Sequence, residues 1–176
     1  MNALAAMLAI REMGADVRAA AGALKEFVAL KGRGARIAAG DIDIIDESYN
    51  ANPASMNAAI ALLAEAKPRG EGRRIAVLGD MFELGKHSAK EHRSLGQRAA
   101  KVGIDALYLL GDRSVEVCKG ALQSGMRAKQ IIIGRDHTDL ARRLRGRVQR
   151  GDWLLFKGSR GMKMEKVLHE LKGGND

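Results

Sequence analysis

Three stretches of the 176-residue sequence combine side chains that can do chemistry with a flexible backbone. They cover residues 46–53 (DESYNANP), 79–87 (GDMFELGKH) and 157–163 (KGSRGMK). Turn formation alone would account for their Asn, Gly and Pro residues, but not for two adjacent carboxylates in the first stretch or a hydroxyl among cations in the third. Glycines let backbone N–H groups approach a ligand, and Arg160 can pair with two oxygens at once. The third stretch therefore predicts a site for a carboxylate or a phosphate.

Two familiar nucleotide-binding motifs are absent from these stretches and from their neighbourhood. Five residues separate Gly79 from Gly85, where a phosphate loop has four, and His87 follows the lysine where Ser or Thr must hold magnesium. The glycines at 32 and 34 follow a predicted helix, and Ile37 stands where a dinucleotide fingerprint needs its third glycine. We therefore expect that this chain does not bind ATP phosphates unaided.

Short apolar runs alternate with amphipathic helices through most of the sequence. The predicted strands cover residues 42–46, 74–78, 106–110, 131–133 and 153–156. Nearly continuous apolar strands that alternate with helices are typical of a doubly wound, mainly parallel α/β sheet, here a Rossmann-like sheet of about five or six strands. Ligands bind beyond the carboxyl ends of such strands, and each polar stretch begins where a predicted strand ends. We therefore expect the three stretches to meet along one edge of the sheet.

Two of the intervening helices have recognisable starts. Asn52 and Pro53 supply an N-cap and a first-turn proline, and Ser88 with Glu91 predicts a capping box for the next helix. Weaker helical patterns cover about 113–123 and 138–149. His92 lies in the middle of a predicted helix. We expect it to be a surface or interface residue rather than a general base.

The N-terminal part has a different pattern. Two helices are predicted before residue 31, the second with Asp16 as its N-cap and with Leu24, Phe27 and Val28 on its apolar face. The glycine-rich segment 31–41 shows no periodicity and indicates a linker. We therefore place a domain boundary between residues 1–33 and 34–176.

The composition excludes several classes of protein. One cysteine cannot form a disulfide framework, and the four histidines have no spacing that predicts a metal site. No apolar run approaches the roughly 20 residues of a membrane span, and no basic secretory signal opens the sequence, so a soluble cytoplasmic protein without a membrane span is expected.

The charge of +9 favours anionic partners without choosing among them. The densest basic stretch, from Arg142 to Arg150, lies opposite Leu140 and Leu144 on a predicted helix, which favours a solvated face over a nucleic-acid site. The six aromatic residues do not recur among the basic ones as a stacking surface would require. No nucleic-acid partner is expected, although a basic anion-binding or nucleic-acid-binding α/β module remains the alternative class.

Three motifs in this order resemble the C-terminal portion of the Mur ligase family. They are DESYNANPASM at 46–56, VLGDMFELG at 77–85 followed by His92 and Gly96, and KGSRGMKM at 157–164. The opening NALAAMLAI at 2–10 is similar to the last helices of the family's central ATPase domain. The resemblance implies that residues 1–33 are the end of that domain, and that residues 34–176 are the amino-acceptor-binding domain.

Site residues are also implied by the resemblance. Asn2 matches a residue that contacts adenine, Arg33 one near the nucleotide phosphates, and Glu47 one that contacts the ribose, where the family more often has Asp. The implied substrate-binding residues are Asp46, Tyr49, Asn50, Asn52, Asp80, Lys157, Ser159 and Arg160, with Ser159 and a cation as a carboxylate clamp. No metal ligand and no certain catalytic residue is implied within this chain.

The reaction implied is an ATP- and magnesium-dependent amide ligation in peptidoglycan precursor synthesis. ATP converts the carboxylate of UDP-N-acetylmuramoyl-tripeptide into an acyl phosphate. The amine of D-alanyl-D-alanine attacks this group, and the amide forms with loss of phosphate. The family's phosphate loop and magnesium ligands belong to upstream segments, so this part is expected to bind no cofactor and to be inactive alone. Gly111 to Ser114 stands where the diaminopimelate-adding branch has Asp-Asn-Pro-Arg, which favours the dipeptide-adding branch. Another amino-acid-adding branch or the folylpolyglutamate branch remains an alternative, and the oligomeric state is open.

Overall fold

The computed structural model describes residues 2–23 and 32–173 of the chain. Two helices come first, α1 (Asn2–Glu12) and α2 (Val17–Ala23). The predicted apolar positions Leu24, Phe27 and Val28 lie outside the described residues. The Asp16 carboxylate accepts a hydrogen bond from the Arg18 N–H group at 2.8 Å, as its predicted capping role requires.

Six strands and five further helices follow in mostly alternating order. The strands are β1 (Ala35–Ala39), β2 (Ile42–Glu47), β3 (Arg74–Gly79), β4 (Ala106–Leu110), β5 (Ile131–Ile133) and β6 (Trp153–Lys157). The helices are α3 (Pro53–Ala64), α4 (Ser88–Lys101), α5 (Ser114–Gln123), α6 (His137–Arg145) and α7 (Glu165–Leu171). The strands form one sheet in the order β1-β2-β6-β3-β4-β5. All neighbours are parallel except β1 and β2, so the predicted doubly wound, mainly parallel α/β sheet is confirmed.

The predicted linker at 31–41 is wrong in its second half. Residues 35–39 form β1, which pairs antiparallel with β2 from Ala35 opposite Asp46 to Ala39 opposite Ile42. Alternate residues of β1 are half-buried, which is the pattern of an edge strand with one covered face. The segment ARIAA contains one residue of high β-propensity, Ile37. The glycines on either side of it therefore favoured the prediction of a linker over that of a strand.

The sheet is covered on both faces, as its apolar strands predicted. One core lies between the sheet and helices α3, α4 and α5, with Met56, Ile60, Leu95 and Ala99 among its members. The other lies between the sheet and helices α6 and α7. Since successive strand residues point to opposite faces, each central strand supplies side chains to both cores.

The two predicted helix starts have different outcomes. Asn52 caps α3 as predicted, and its side chain accepts a hydrogen bond from the Ser55 N–H group at 2.8 Å. The capping box predicted for Ser88 and Glu91 is wrong, because a 3₁₀ turn at Gly85–His87 runs directly into α4. Ser88 is already helical in this arrangement, so its backbone cannot occupy the capping position.

Helices α4 and α5 approach each other closely at two glycines. A Cβ atom on Gly96 would overlap the carbonyl group of Val117, and one on Gly120 would overlap the carbonyl oxygen of Arg93. The Arg93 guanidinium also pairs with Glu116 across the same contact. The two glycines therefore set the distance between these helices.

The positive charge on the basic face of α6 is partly neutralised by a carboxylate of the same helix. Asp139 accepts from the Arg135 N–H group at 3.2 Å and pairs with the guanidinium groups of Arg142 and Arg143. These contacts, led by the Arg135 amide, hold the pKa of Asp139 well below its usual range. The arginines are exposed while Leu140 and Leu144 are buried, so the predicted opposition of a charged face and an apolar face is confirmed.

Within the described ranges 2–23 and 32–173, no helix has both the length and the apolar character that a bilayer crossing requires.

Candidate functional site

The three polar stretches lie side by side at the carboxyl edge of the sheet. Strand β6 sits between β2 and β3, and Lys157 at its end is opposite Glu47 on one side and Leu78 on the other. We name the segments that follow these strands the first loop (48–52), the second loop (80–87) and the third loop (158–163). The prediction that they share one edge is confirmed by this register.

Ser159 joins all three loops. Its Oγ accepts a hydrogen bond from the Phe82 N–H group at 2.8 Å and lies 3.4 Å from the Ala51 carbonyl oxygen, to which it donates. Its own N–H group donates to the Asp80 carbonyl oxygen at 2.9 Å. Ser159 is 4% exposed, so these contacts occupy the hydroxyl. In this arrangement Ser159 connects the three loops, and its hydroxyl is not exposed to a ligand.

Lys157 is buried among oxygen atoms, although the sequence suggested a cation facing a ligand. Its Nζ lies 3.1 Å from Glu47 Oε2 and 2.8 Å from the Asn50 carbonyl oxygen, and the residue is only 2% exposed. The Glu47 side chain retains 29% of its exposure. We call the solvent-facing edge formed by Glu47, the three loops and Arg33 the rim. Lys157 therefore orients the Glu47 carboxylate at the rim and anchors the first loop.

Asp46 fastens the start of β1 to the end of β2. Its Oδ1 accepts from the N–H group and hydroxyl of Ser48 at 3.1 and 2.6 Å, and its Oδ2 accepts from the Gly32 N–H group at 3.1 Å. The Asp46 carbonyl oxygen accepts from the Gly34 N–H group at 2.9 Å. Asp46 is fully buried, so its carboxylate serves this junction.

Asp80 and His92 hold the second loop in place through hydrogen bonds to backbone N–H groups. Asp80 is 6% exposed, and both of its carboxylate oxygens lie 3.2 Å from the Arg113 nitrogen, which donates to them. Burial raises the pKa of Asp80 above its ordinary value, and the Arg113 amide opposes that shift only in part. His92 Nε2 accepts from the Met81 N–H group at 2.9 Å, so Nδ1 carries the proton and donates to the Ser88 carbonyl oxygen at 2.7 Å.

The predicted surface position of His92 is wrong, because the residue is completely buried. The sequence did contain the signal for this. His92 precedes Leu95 by three positions and Gly96 by four, which places it on the buried stripe of α4. A polar residue on that stripe needs internal partners, and the second loop supplies one.

The exposed side chains at the rim are those that a ligand could contact. Asn50 and Asn52 are exposed, but each uses its Oδ1 within the chain, on the Ala51 and Ser55 N–H groups respectively. Their amide N–H₂ groups can still donate to a ligand. Asn2 belongs to α1, and its side chain lies outside the described part of the chain.

Two arginines at the rim differ in how they are held. The Arg160 side chain is 61% exposed, and its Nη1 lies 2.9 Å from Glu165 Oε1. The Arg33 guanidinium carbon lies 4.0 Å above the ring centre of Tyr49. With Glu47 and Glu165, they give this part of the rim two cations and two carboxylates. Its arginines suit a phosphate or a carboxylate of a ligand, and Glu47 suits a hydroxyl group.

An open cleft of about 570 Å³ lies beside the third loop, between α6 and α7. It is lined by Asp136, His137, Thr138, Glu165, Lys166, His169 and Glu170. His137 Nε2 lies 2.7 Å from the Met162 carbonyl oxygen, which ties this cleft to the third loop. Within the ranges 2–23 and 32–173, no group of three or more His, Cys, Asp or Glu side chains could hold a metal ion.

Comparisons with known proteins relate the chain to one family. The sequence profile of the family described as "Mur ligase, glutamate ligase domain" matches residues 32–160. The UDP-N-acetylmuramoyl-tripeptide--D-alanyl-D-alanine ligases of Bacillus subtilis and Escherichia coli are 33% and 35% identical to the chain, each over 97% of it. The match covers 37% and 36% of these two relatives, so the chain spans little more than a third of their length.

Solved structures have the same fold. A MurF structure from Acinetobacter baumannii matches 97% of the chain with a TM-score of 0.81 and 27% identity, over 36% of its own length. A MurF ligase from Thermotoga maritima in complex with ADP matches 94% of the chain with a TM-score of 0.75 and 28% identity, also over 36% of its length.

Proposed function

Because this chain belongs to the Mur ligase family, we propose that it is the C-terminal part of an ATP-dependent ligase that joins D-alanyl-D-alanine to UDP-N-acetylmuramoyl-tripeptide. The observation that carries the proposal is the meeting of the three motif-bearing loops at one edge of the sheet, where Ser159 joins them. A soluble ligase of peptidoglycan precursors, working in the cytoplasm, fits this assignment. We call the longer protein that would contain this chain the complete ligase.

The division into domains follows the same proposal. Residues 1–33 are the last helices of the central ATPase domain, and residues 34–176 are the amino-acceptor-binding domain. The apolar side chains of Leu4, Leu8 and Met13 support this division, because they are 70%, 52% and 83% exposed. Such a surface is expected where another domain covers it.

The rim divides into residues that contact ligands and residues that position them. Arg33 and Glu47 have the charge and exposure for nucleotide phosphates and a ribose hydroxyl, and Asn2 completes this set by resemblance. Arg160, with Asn50 and Asn52, lines the side where the acceptor dipeptide enters. The buried residues of the rim act through these exposed ones; they are Asp46, Asp80, Lys157 and Ser159.

Catalysis by such a rim consists of positioning. Bound ATP, with magnesium held by upstream segments, supplies the phosphoryl group that activates the tripeptide carboxylate. The residues of this chain then hold the dipeptide amine close to that carboxylate and counter the negative charge of both substrates.

The activity itself is tested on the complete ligase. Supplied with UDP-N-acetylmuramoyl-tripeptide, ATP and a panel of amino acids and dipeptides, it should form an amide with D-alanyl-D-alanine in preference to single amino acids. Product detection by mass spectrometry identifies the acceptor. Preference for glutamate or diaminopimelate would assign the chain to another branch of the family.

This 176-residue chain alone should not turn over ATP. The sequence contains no phosphate loop, the motif whose backbone N–H groups and lysine hold the phosphates of ATP and whose hydroxyl binds magnesium. Release of inorganic phosphate from ATP and magnesium, measured on the purified chain, should equal the protein-free blank. Reproducible magnesium-dependent turnover would contradict the proposed division of labour.

Replacing Arg160 by alanine in the complete ligase should mainly affect the acceptor. Loss of a charged hydrogen bond to the dipeptide carboxylate predicts a KM for D-alanyl-D-alanine that rises by roughly tenfold or more. The Kd for ATP should stay within about twofold of the wild-type value, since this substitution removes no proposed nucleotide contact. Arg145→Ala, which removes an exposed arginine from α6, is the matched control and should change neither constant. Equal losses for both substrates would remove Arg160 from the acceptor site.

A further inference from the structure

We propose that Tyr49 is a positioning residue whose ring face holds the Arg33 guanidinium ready for the phosphates of the nucleotide. This inference rests on the proposed function, which assigns Arg33 to the nucleotide. It gives Tyr49 a role through Arg33 in place of the direct substrate contact expected from the sequence. The juxtaposition that carries it is the 4.0 Å separation between the Arg33 guanidinium carbon and the ring centre of Tyr49.

The backbone on both sides of Arg33 is fixed to the end of β2. The Gly32 N–H group donates to Asp46 Oδ2, and the Gly32 carbonyl oxygen accepts from the Tyr49 N–H group at 3.0 Å. The Gly34 N–H group donates to the Asp46 carbonyl oxygen at 2.9 Å. Gly32 and Gly34 have φ values of 77° and 81°, a region that side-chain-bearing residues rarely adopt. The backbone of Arg33 is therefore held in one position, and the remaining conformational freedom lies in its long side chain.

A ring and a carboxylate hold an arginine in different ways. A carboxylate takes up N–H donors and opposes the approach of a second anion, as Glu165 does for Arg160. A ring face contacts the flat surface of the guanidinium and leaves its in-plane N–H donors free. Among the described residues, Arg33 has this ring contact and no carboxylate partner. It is thus restrained and still able to bind phosphate oxygens, which lowers the entropy lost on binding.

The location suits a phosphate-bearing ligand. An added Cβ on Gly34 would lie 3.2 Å from Glu47 Oε1, so the glycine that follows Arg33 borders the rim carboxylate. Tyr49 is 45% exposed, and its ring lies against the Arg33 guanidinium. The stacked pair therefore sits beside the carboxylate proposed to contact the ribose.

The test compares Tyr49→Leu with Tyr49→Phe in the complete ligase, using a non-hydrolysable ATP analogue with magnesium and calorimetry. An exposed cation–π contact predicts that Tyr49→Leu weakens the Kd by roughly two- to fivefold, while Tyr49→Phe keeps the ring face and the wild-type value. The KM for D-alanyl-D-alanine should be unchanged in both variants. Equal weakening by Tyr49→Phe would overturn the proposal, because the hydroxyl would then be the active group.

A double-mutant cycle shows whether Tyr49 acts through Arg33. Arg33→Ala should weaken the Kd by roughly tenfold or more, and Tyr49→Leu should add nothing in that background. Additive effects, or no effect of Tyr49→Leu alone, would refute the positioning role. If Arg33→Ala leaves the Kd unchanged, the proposed nucleotide contact of Arg33 is wrong and the role of Tyr49 is lost with it.

NMR on this chain reports the stacking independently of activity. The side-chain protons of Arg33 should show upfield ring-current shifts in the wild type, and these shifts should be lost in Tyr49→Leu.

Discussion

Replacing Gly96 by alanine should destabilise the chain by about 3 kcal/mol, which is the cost of inserting a methyl group where no room exists. The new Cβ would overlap the backbone carbonyl group of Val117, and a backbone group cannot rotate away as a flexible side chain can. Helices α4 and α5 must then separate along their closest contact. The free energy of unfolding, measured with urea, should fall by this amount, and the Tm by roughly 6–12 °C.

Gly146→Ala is the matched control for this prediction. Gly146 ends α6 with ordinary right-handed dihedral angles, and a Cβ there would lie 3.6 Å from the nearest atom, the Arg142 carbonyl oxygen. Stability should therefore stay the same or rise by up to about 1 kcal/mol, since alanine restricts the unfolded chain more than glycine does. If the two variants were equally stable, α4 and α5 would not approach as closely as the structure indicates.

The positions of the three loops could be predicted because they depend on strong, local signals. Buried parallel strands have continuous apolar runs, and loops that follow such strands must lie at one edge of the sheet. The order of the strands in the sheet, however, depends on contacts between distant segments. Glu47 and Lys157 are 110 positions apart in sequence, and they meet because β6 inserts beside β2. Sequence alone therefore could not distinguish a cation facing a ligand from one that supports a carboxylate.

The same limitation applies to two other polar side chains at the rim and to strand β1. His92 and Ser159 are small or amphipathic polar residues that are often exposed, and their burial depends on partners in other loops. The strand β1 has weak propensity of its own, and it exists because β2 offers an open edge for pairing. In each case the missing information was the identity of a distant neighbour.

Lys157→Met should destabilise the chain by about 2 kcal/mol, because it removes one member of a buried ion pair and leaves the other without a donor. Glu47 Oε2 and the Asn50 carbonyl oxygen both lose the Lys157 ammonium group. The loss is smaller than for a fully buried pair, since Glu47 retains contact with water. In the complete ligase, the freed carboxylate should also weaken the Kd of the ATP analogue by about tenfold.

Lys119→Met provides the matched control for charge and shape. Lys119 pairs with Glu116 at 2.8 Å on the surface of α5, its side chain is 51% exposed, and Glu116 keeps Arg93 as a second partner. Its replacement should change the free energy of unfolding by less than about 0.5 kcal/mol. If Lys157→Met had an equally small effect, its ammonium group would not support the rim.

A second substitution separates the buried charge from the packing of the lysine side chain. Glu47→Gln in the Lys157→Met background removes the unpaired charge while keeping a side chain of similar size, so part of the lost stability should return. Nucleotide affinity should not return with it, because the ribose contact proposed for Glu47 depends on a carboxylate held in place. One substitution would thus restore part of the stability and none of the affinity. Recovery of both would mean that the rim needs a folded first loop and does not need the oriented carboxylate.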